Sequence, residues 1–300
     1  MEGIDARPVV AGLAKPTRMQ ALLTTRVRKI GTLVLIYGLM ALVAAIVIFP
    51  IYWMFTISLK LPKEIYRLPS LVPDNPTWRN YQELIEKKDY LTNIRNSLIV
   101  ASSVTVVSLL ISSFAAYSIV RFRYRFRGFI GRLILLTYLT PGSLLFIPLS
   151  IIVAKLHLGN SLFGLVIIYL TFSIPLSTWL LSGYFRSVPA DLEEQAMVDG
   201  TSQIGALFRI LLPLSLPGLA AVGIFTFTAA WNELLFALIF ITSESKRTVP
   251  LGLQYLITGD VLLWGPIMAG ATLAALPVMI LYFIAQRFMV QGVTAGSVKG

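Results

Sequence analysis

The chain of 300 residues contains no cysteine and a single histidine, His157. A disulfide framework and a thiolate metal centre are therefore unavailable, and a histidine cluster for metal is excluded too. Charge is scarce: charged residues make up 13% of the chain, and only 14 residues are acidic. Water-soluble domains carry about 25% charged residues, so the polar side chains here are too few to coat a body of this size. There is no Walker-type phosphate loop, no H-E-x-x-H pair of zinc ligands and no pair of carboxylates inside an apolar run. The sequence thus offers no catalytic residue, no metal site and no cofactor site of its own.

What it has instead is apolar length. Hydrophobic residues form 56% of the chain and the mean hydropathy is +0.79. Several runs exceed the roughly 18 apolar residues that mark a membrane-spanning helix. The expected fold is all-α, a polytopic membrane protein with six transmembrane helices at about 30–57, 93–119, 129–153, 162–183, 214–241 and 263–288. A tail at 1–29 precedes this domain of 30–288, and a tail at 289–300 follows it. Six Lys/Arg (Arg7, Lys15, Arg18, Arg26, Arg28, Lys29) stand before the first run, as in a signal peptide. That run is far longer than the 7–15 residues of a signal core, so it reads as an uncleaved first span.

The net charge of +11 suits nucleic acid in principle, but the basic residues sit in short segments flanking apolar runs, as topology signals do. With a cytoplasmic amino terminus, fifteen of the 25 Lys/Arg fall on the inside. The knot RFRYRFRG at Arg121–Gly128 is the strongest single signal. Both termini and both inner loops are then expected in the cytoplasm. The first outer loop, Lys60–Thr92, is interrupted by Pro69, Pro73 and Pro76, and its WRNYQELIEKK segment reads as a surface helix with Trp78 and Tyr81 at the interface. Pro141, Gly142, Pro148 and Pro175 predict kinks in the third and fourth spans. Such breaks persist in membranes where the freed carbonyls face protein or a water-filled path.

One acid, Glu233, lies deep within a predicted span. A charge at the bilayer centre costs about 2.5–3.5 kcal/mol on insertion scales. Either it lines a substrate path together with Trp231 and Asn232, or it makes a hydrogen-bonded contact to another span or subunit. The second reading is preferred, because helices of multi-subunit complexes have many polar seams.

The most ordered departure from apolarity is a polar island, Ser187–Pro213. It holds four acids, Asp191, Glu193, Glu194 and Asp199, within nine residues. Ser187 is placed to cap a helix with Pro189 in its first turn, and the acids suit the positive end of the helix dipole. Gly200 permits a turn, and Thr201 or Ser202 can cap a second helix. Ile204, Leu207, Phe208 and Leu211 then fall on one stripe, and Pro213 closes the unit. The expectation is a helix–turn–helix on the cytoplasmic face, with small Ala196 where two backbones approach.

The spacing Glu194-Gln195-Ala196, Gly200, Ile210 and Leu212-Pro213 resembles the EAA loop of binding-protein-dependent ABC transporter permeases. Asp199-Gly200, WNELLFAL at Trp231–Leu238, TVPLGL at Thr248–Leu253 and the tail GVTAGSVKG at Gly292–Gly300 are similar to the carbohydrate branch, the maltose-type second permease subunit. Gln195 departs from the alanine usual in the family. The resemblance, over about Arg95–Gly300, implies a permease subunit of an ATP-driven importer in a bacterial or archaeal inner membrane. It also implies a second permease, two ATP-binding subunits that carry the ATP and Mg, and an extracytoplasmic solute-binding protein. Glu194, Gln195, Ala196, Asp199 and Gly200 would meet the ATPase. Amino-acid, polyamine or phosphate-ester cargo within the same class, an ion-coupled carrier and a membrane scaffold are the other readings.

Overall fold

The structure, a computed structural model, describes residues 18–67, 70–258 and 261–296. It divides into two units, at Trp53 and Met54. The expected tails at 1–29 and 289–300 lie outside the described residues over 1–17 and 297–300.

Helix α1 (Arg18–Ser58) supplies the first unit, and its side chains from Ile30 to Ile51 are exposed on every face. A helix that is apolar all round belongs in lipid or among other helices. Within it the rings of Phe49 and Trp53 stack, one helical turn apart, at 6.0 Å between centroids.

The second unit is built on α2 (Tyr90–Arg121), which runs along α5 (Leu162–Ser187) and α8 (Leu216–Trp231). Small residues make this closeness possible. Ser97, Ala101, Ser108, Ser112 and Ala116 of α2 follow at helical spacing and are all buried. Membrane helices have no hydrophobic drive to pair with one another, so small side chains and interhelical hydrogen bonds hold them together. Here Ser108 Oγ donates to Ser177 Oγ at 3.1 Å, and Ser177 Oγ lies 3.1 Å from Thr226 Oγ1. This buried hydroxyl chain thus crosses α2, α5 and α8 in one line. Ser112 Oγ also donates to the carbonyl of Ile174, just before the proline of α5.

The third expected span is a bent pair. α3 (Arg127–Tyr138) meets a 3-10 turn, Gly142–Leu145, and then α4 (Phe146–Lys155), with an angle of 88° across the break at Pro141. After α5 come α6 (Asp191–Val198), α7 (Gln203–Ala206) and a π-helical turn at Leu207–Leu211, and the segment Gln203–Leu214 meets α8 at an angle of 80° across Ser215, between Pro213 and Pro217. The fifth span therefore departs from the expected 214–241. It ends at Trp231, and a separate short helix, α9 (Leu235–Phe240), follows a break at residues 232–234. α10 (Val249–Gln254) and α11 (Trp264–Gly296) are the last helices among the described residues, with a two-residue antiparallel pair, β1 (Ile257–Thr258) and β2 (Val261–Leu262), between them. By length and composition four helices can cross a membrane, or up to six if each bent pair is one span, among the described residues.

The connecting segments are pinned rather than loose. Asn96 Nδ2 donates to the carbonyls of Ser245 and Arg247, and Val249 N–H donates to Ser97 Oγ at 2.7 Å. Gly252 packs so close to Asn93 that a Cβ there would collide with its amide. Asn160 adopts φ 50 and accepts from the N–H groups of Thr242 and Ser243. Asn80 Nδ2 donates to the carbonyls of Ser58 and Lys60. Of the two aromatics expected at the interface, Trp78 is exposed whereas Tyr81 is buried, its hydroxyl 2.7 Å from Ser58 Oγ. The predicted surface helix there is one turn, Arg79–Gln82, followed by a π-helical turn that buries Leu84.

Candidate functional site

The polar island folds as a helical hairpin, with its starts in different places from those expected. Ser187 ends α5 and its hydroxyl donates to Tyr184 O, so it caps nothing. The first hairpin helix begins at Asp191, and the N–H groups of Glu193 and Glu194 close back on Ala190 O. Its end is a left-handed turn. Gly200 has φ +91, Gly200 N–H donates to Met197 O, and Thr201 N–H donates to Ala196 O at 2.9 Å. Ser202, one of the two expected caps, accepts from Gly205 N–H at 3.1 Å. The predicted stripe divides. Leu207 and Leu211 are fully buried, whereas Ile204 and Phe208 are exposed, because the π-helical turn changes the residue-to-face spacing.

One face of α2 holds this hairpin. Phe114, Tyr117 and Arg121 stand at i, i+3 and i+7, a single helical face. The Phe114 ring meets Phe208 edge-on at 5.9 Å, and Tyr117 hydroxyl donates to Gln203 O at 3.1 Å. Arg121 Nε donates to Glu193 Oε1 at 2.7 Å, while its other end donates to Val188 O at 2.8 Å. Glu193 is 3% exposed, so the pair is the anchor of α6. Sequence reasoning grouped Glu193 with its acidic neighbours and missed this role. Its partner lies 72 positions away, and the only signal was an arginine at the end of a small-residue helix. On the opposite side α6 presents Glu194, Gln195, Asp199 and Gly200 to solvent, with Val198 87% exposed, while Ala196 is half-buried.

The three residues grouped around Glu233 separate. Trp231 packs in the core with its ring stacked on Phe227 at 5.6 Å. Asn232 is exposed and its side chain donates to Thr228 O. Glu233 alone borders a cavity of about 370 Å³, together with Tyr169, Phe172, Ser173 and Phe236. Its carboxylate accepts from Phe236 N–H at 3.0 Å and Ala237 N–H at 3.4 Å. The helix break at 232–234 leaves the first amides of α9 without helical partners, and Glu233 satisfies them. An acid that looked isolated in a span is a helix cap. Glu233→Gln keeps one acceptor oxygen there, so it should preserve assembly and most transport. Glu233→Leu strands both amides, each worth about 1–3 kcal/mol, and should lower the thermal midpoint of the solubilised protein. Complete loss of transport in a normally assembled Glu233→Gln variant would show that the carboxylate does more than cap. No group of three or more potential metal ligands occurs among the described residues.

Helices long and apolar enough to cross a membrane, with a hairpin clamped to the end of one of them, fit a permease component. Residues 108–295 match the family described as "Binding-protein-dependent transport system inner membrane component", and the chain belongs to it. The chain is 36% identical over 264 residues to the "Inner membrane ABC transporter permease protein YcjP" of Escherichia coli (strain K12), covering 87% of this chain and 94% of that one. It is also 36% identical over 263 residues to the "Trehalose/maltose transport system permease protein MalG" of Thermococcus litoralis, covering 86% and 94%. The "Diacetylchitobiose uptake system permease protein DasC" of Streptomyces coelicolor is 36% identical over 257 residues, 84% of this chain and 92% of that one. A chain of a bacterial ABC transporter for the acidic polysaccharide alginate shares the fold at a TM-score of 0.73 and 20% identity, covering 91% of this chain and 98% of that one.

Proposed function

We propose that this chain is one of two permease subunits of an ATP-driven importer for a sugar or oligosaccharide. Relatives named for trehalose/maltose, diacetylchitobiose, sulfoquinovosyl glycerol and galactooligosaccharides, at 32–37% identity over most of the chain, support that cargo class. A second permease, a pair of ATP-binding subunits and an extracytoplasmic binding protein complete the assembly. ATP hydrolysis belongs to the ATP-binding subunits, and this chain moves the solute by alternating access.

The observation that carries the coupling role is the two-sided build of α6. Its inner side is tied to α2 through Glu193 and Arg121, and its outer side is free to meet a partner. Glu194, Gln195, Ala196, Asp199 and Gly200 form the docking knob, joined by the exposed Val198. The bias of Lys/Arg toward this face supports a cytoplasmic knob. Nucleotide binding shifts the permease between inward- and outward-facing states only through its differential affinity for the two. A rigid knob fixed to a spanning helix is the means of transmitting that difference.

The test is affinity purification from the membrane, followed by reconstitution in liposomes. An ATPase and a second permease should co-purify, and sugar-loaded binding protein should raise ATP hydrolysis. Sugar uptake by this chain alone, driven by an ion gradient, would refute the importer reading.

A further inference from the structure

A second cavity, of about 400 Å³, lies between α2, α3 and α5 at the arginine-rich end of the bundle. Three guanidinium groups border it: Arg127 and Arg132 from α3 and Arg186 from the last turn of α5. No carboxylate does. The ion pairs among the described residues are Arg121–Glu193 and Arg247–Glu244, so all three arginines lack an acidic partner. Arg127 and Arg132 each spend one N–H on a backbone carbonyl, of Phe122 and Gly128 respectively. A guanidinium has five such donors, so most of them remain for a ligand.

The floor is unusual in two ways. Thr178 is 1% exposed and its hydroxyl has no hydrogen-bond partner. A buried hydroxyl left unpaired is costly, and this one belongs to a residue lining the cavity. Glycines also take the place of larger side chains at Gly128 and Gly183, where an added Cβ would meet nothing within 4 Å. Helix packing therefore does not require these glycines; they leave room. At the rim Trp179 is half exposed, and the outer side of α3 shows Phe129, Leu133 and Leu136. These apolar side chains neighbour the cavity along α3 without lining it and suit acyl chains, and indole rings favour the headgroup level of a bilayer.

We propose that this cavity is a binding site for the phosphate headgroup of an anionic phospholipid. Arg127, Arg132 and Arg186 bind the phosphate, the Thr178 hydroxyl donates from the floor, and the glycines admit the glycerol moiety. The acyl chains lie against Trp179 and the apolar side of α3. Basic pockets between spanning helices recognise anionic headgroups by this combination of charge and hydrogen bonding. A free phosphate would use the same arginines but leave the apolar wall uncovered, which is why the lipid is the assigned source. The site is independent of what the transporter carries.

The experiment uses the full transporter complex in detergent, titrated with short-chain phosphatidylglycerol or phosphatidylcholine while the thermal midpoint is followed. Lipid retained after washing is quantified by mass spectrometry. Phosphatidylglycerol should raise the midpoint and be retained, and phosphatidylcholine should do neither. A basic residue near an anionic lipid contributes about 1 kcal/mol, so each of Arg127→Gln, Arg132→Gln and Arg186→Gln should weaken binding about fivefold. Gly183→Leu keeps every arginine and points into open space, so it should fold normally and weaken phosphatidylglycerol binding by filling the cavity. Equal responses to the two lipids, or unchanged binding by Gly183→Leu, would overturn the assignment. Displacement of the lipid by millimolar inorganic phosphate would replace it with a site for a free anion.

Discussion

Gly200→Pro should leave the chain in the membrane and abolish association with the ATPase, and with it uptake. The reason is local and large. Gly200 holds φ +91 and donates its N–H to Met197 O. Proline fixes φ near −65° and has no N–H, so the left-handed turn between α6 and α7 cannot form. The turn decides where the knob points, because Glu194, Gln195 and Val198 lie in the two helical turns before it. Gly200→Asn is the control, since asparagine tolerates left-handed backbone. It should retain most coupled uptake. Coupled transport in Gly200→Pro at the level of the parent would remove α6 from the docking role; so would wild-type uptake by Ala196→Arg, which places a long cation where the hairpin helices meet.

The second large effect is expected at Arg121 and Glu193. Breaking a buried ion pair by removing one partner costs about 3–5 kcal/mol, and Arg121 retains some solvent, so about 3 kcal/mol is expected. α6 would remain a helix but lose its tie to the end of α2. Glu193→Gln and Arg121→Met should each bind ATPase yet transport poorly, so that hydrolysis continues while uptake falls at least about tenfold. The ratio of sugar moved to ATP consumed is the informative measurement, since general destabilisation lowers both together. The doubly apolar variant, Arg121→Leu with Glu193→Leu, strands neither charge and should restore thermal stability. If its uptake also recovered fully, any firm contact would serve, and the charges themselves would be dispensable. Uptake and hydrolysis falling in parallel in the single variants would show that the pair supports folding alone.

The sequence was most legible where physics is local. The Gly200 turn and the Ser202 cap follow from residue type and spacing, and both stand as expected. Apolar length likewise showed where the bundle lies. Reading failed where the structure depends on distant partners. The carboxylate of Glu193 finds Arg121 across 72 residues, and no pattern within the island distinguishes it from Glu194. The break at 232–234 was hidden because WNELLFAL is apolar enough to pass as one helix, so Glu233 looked buried in a span rather than placed at a helix start. The division of the Ile204–Leu211 stripe has the same origin, since a π-helical turn is a response to packing that periodicity alone does not announce.

The hydroxyl chain through Ser108, Ser177 and Thr226 bears on how such a bundle is held together. Each hydroxyl can donate or accept by rotating its proton, so the Ser177–Thr226 contact has no fixed sense. Interhelical hydrogen bonds in membranes average only about 0.6 kcal/mol in double-mutant cycles. α2, α5 and α8 are thus joined by hydrogen bonds whose sense can reverse, set among the bulky buried side chains that the same helices share, such as Tyr169, Phe185 and Phe227. The line where the three helices meet therefore keeps its hydrogen bonds whichever way each proton points, so a change in one hydroxyl's partner can pass to the next without leaving a buried group unpaired.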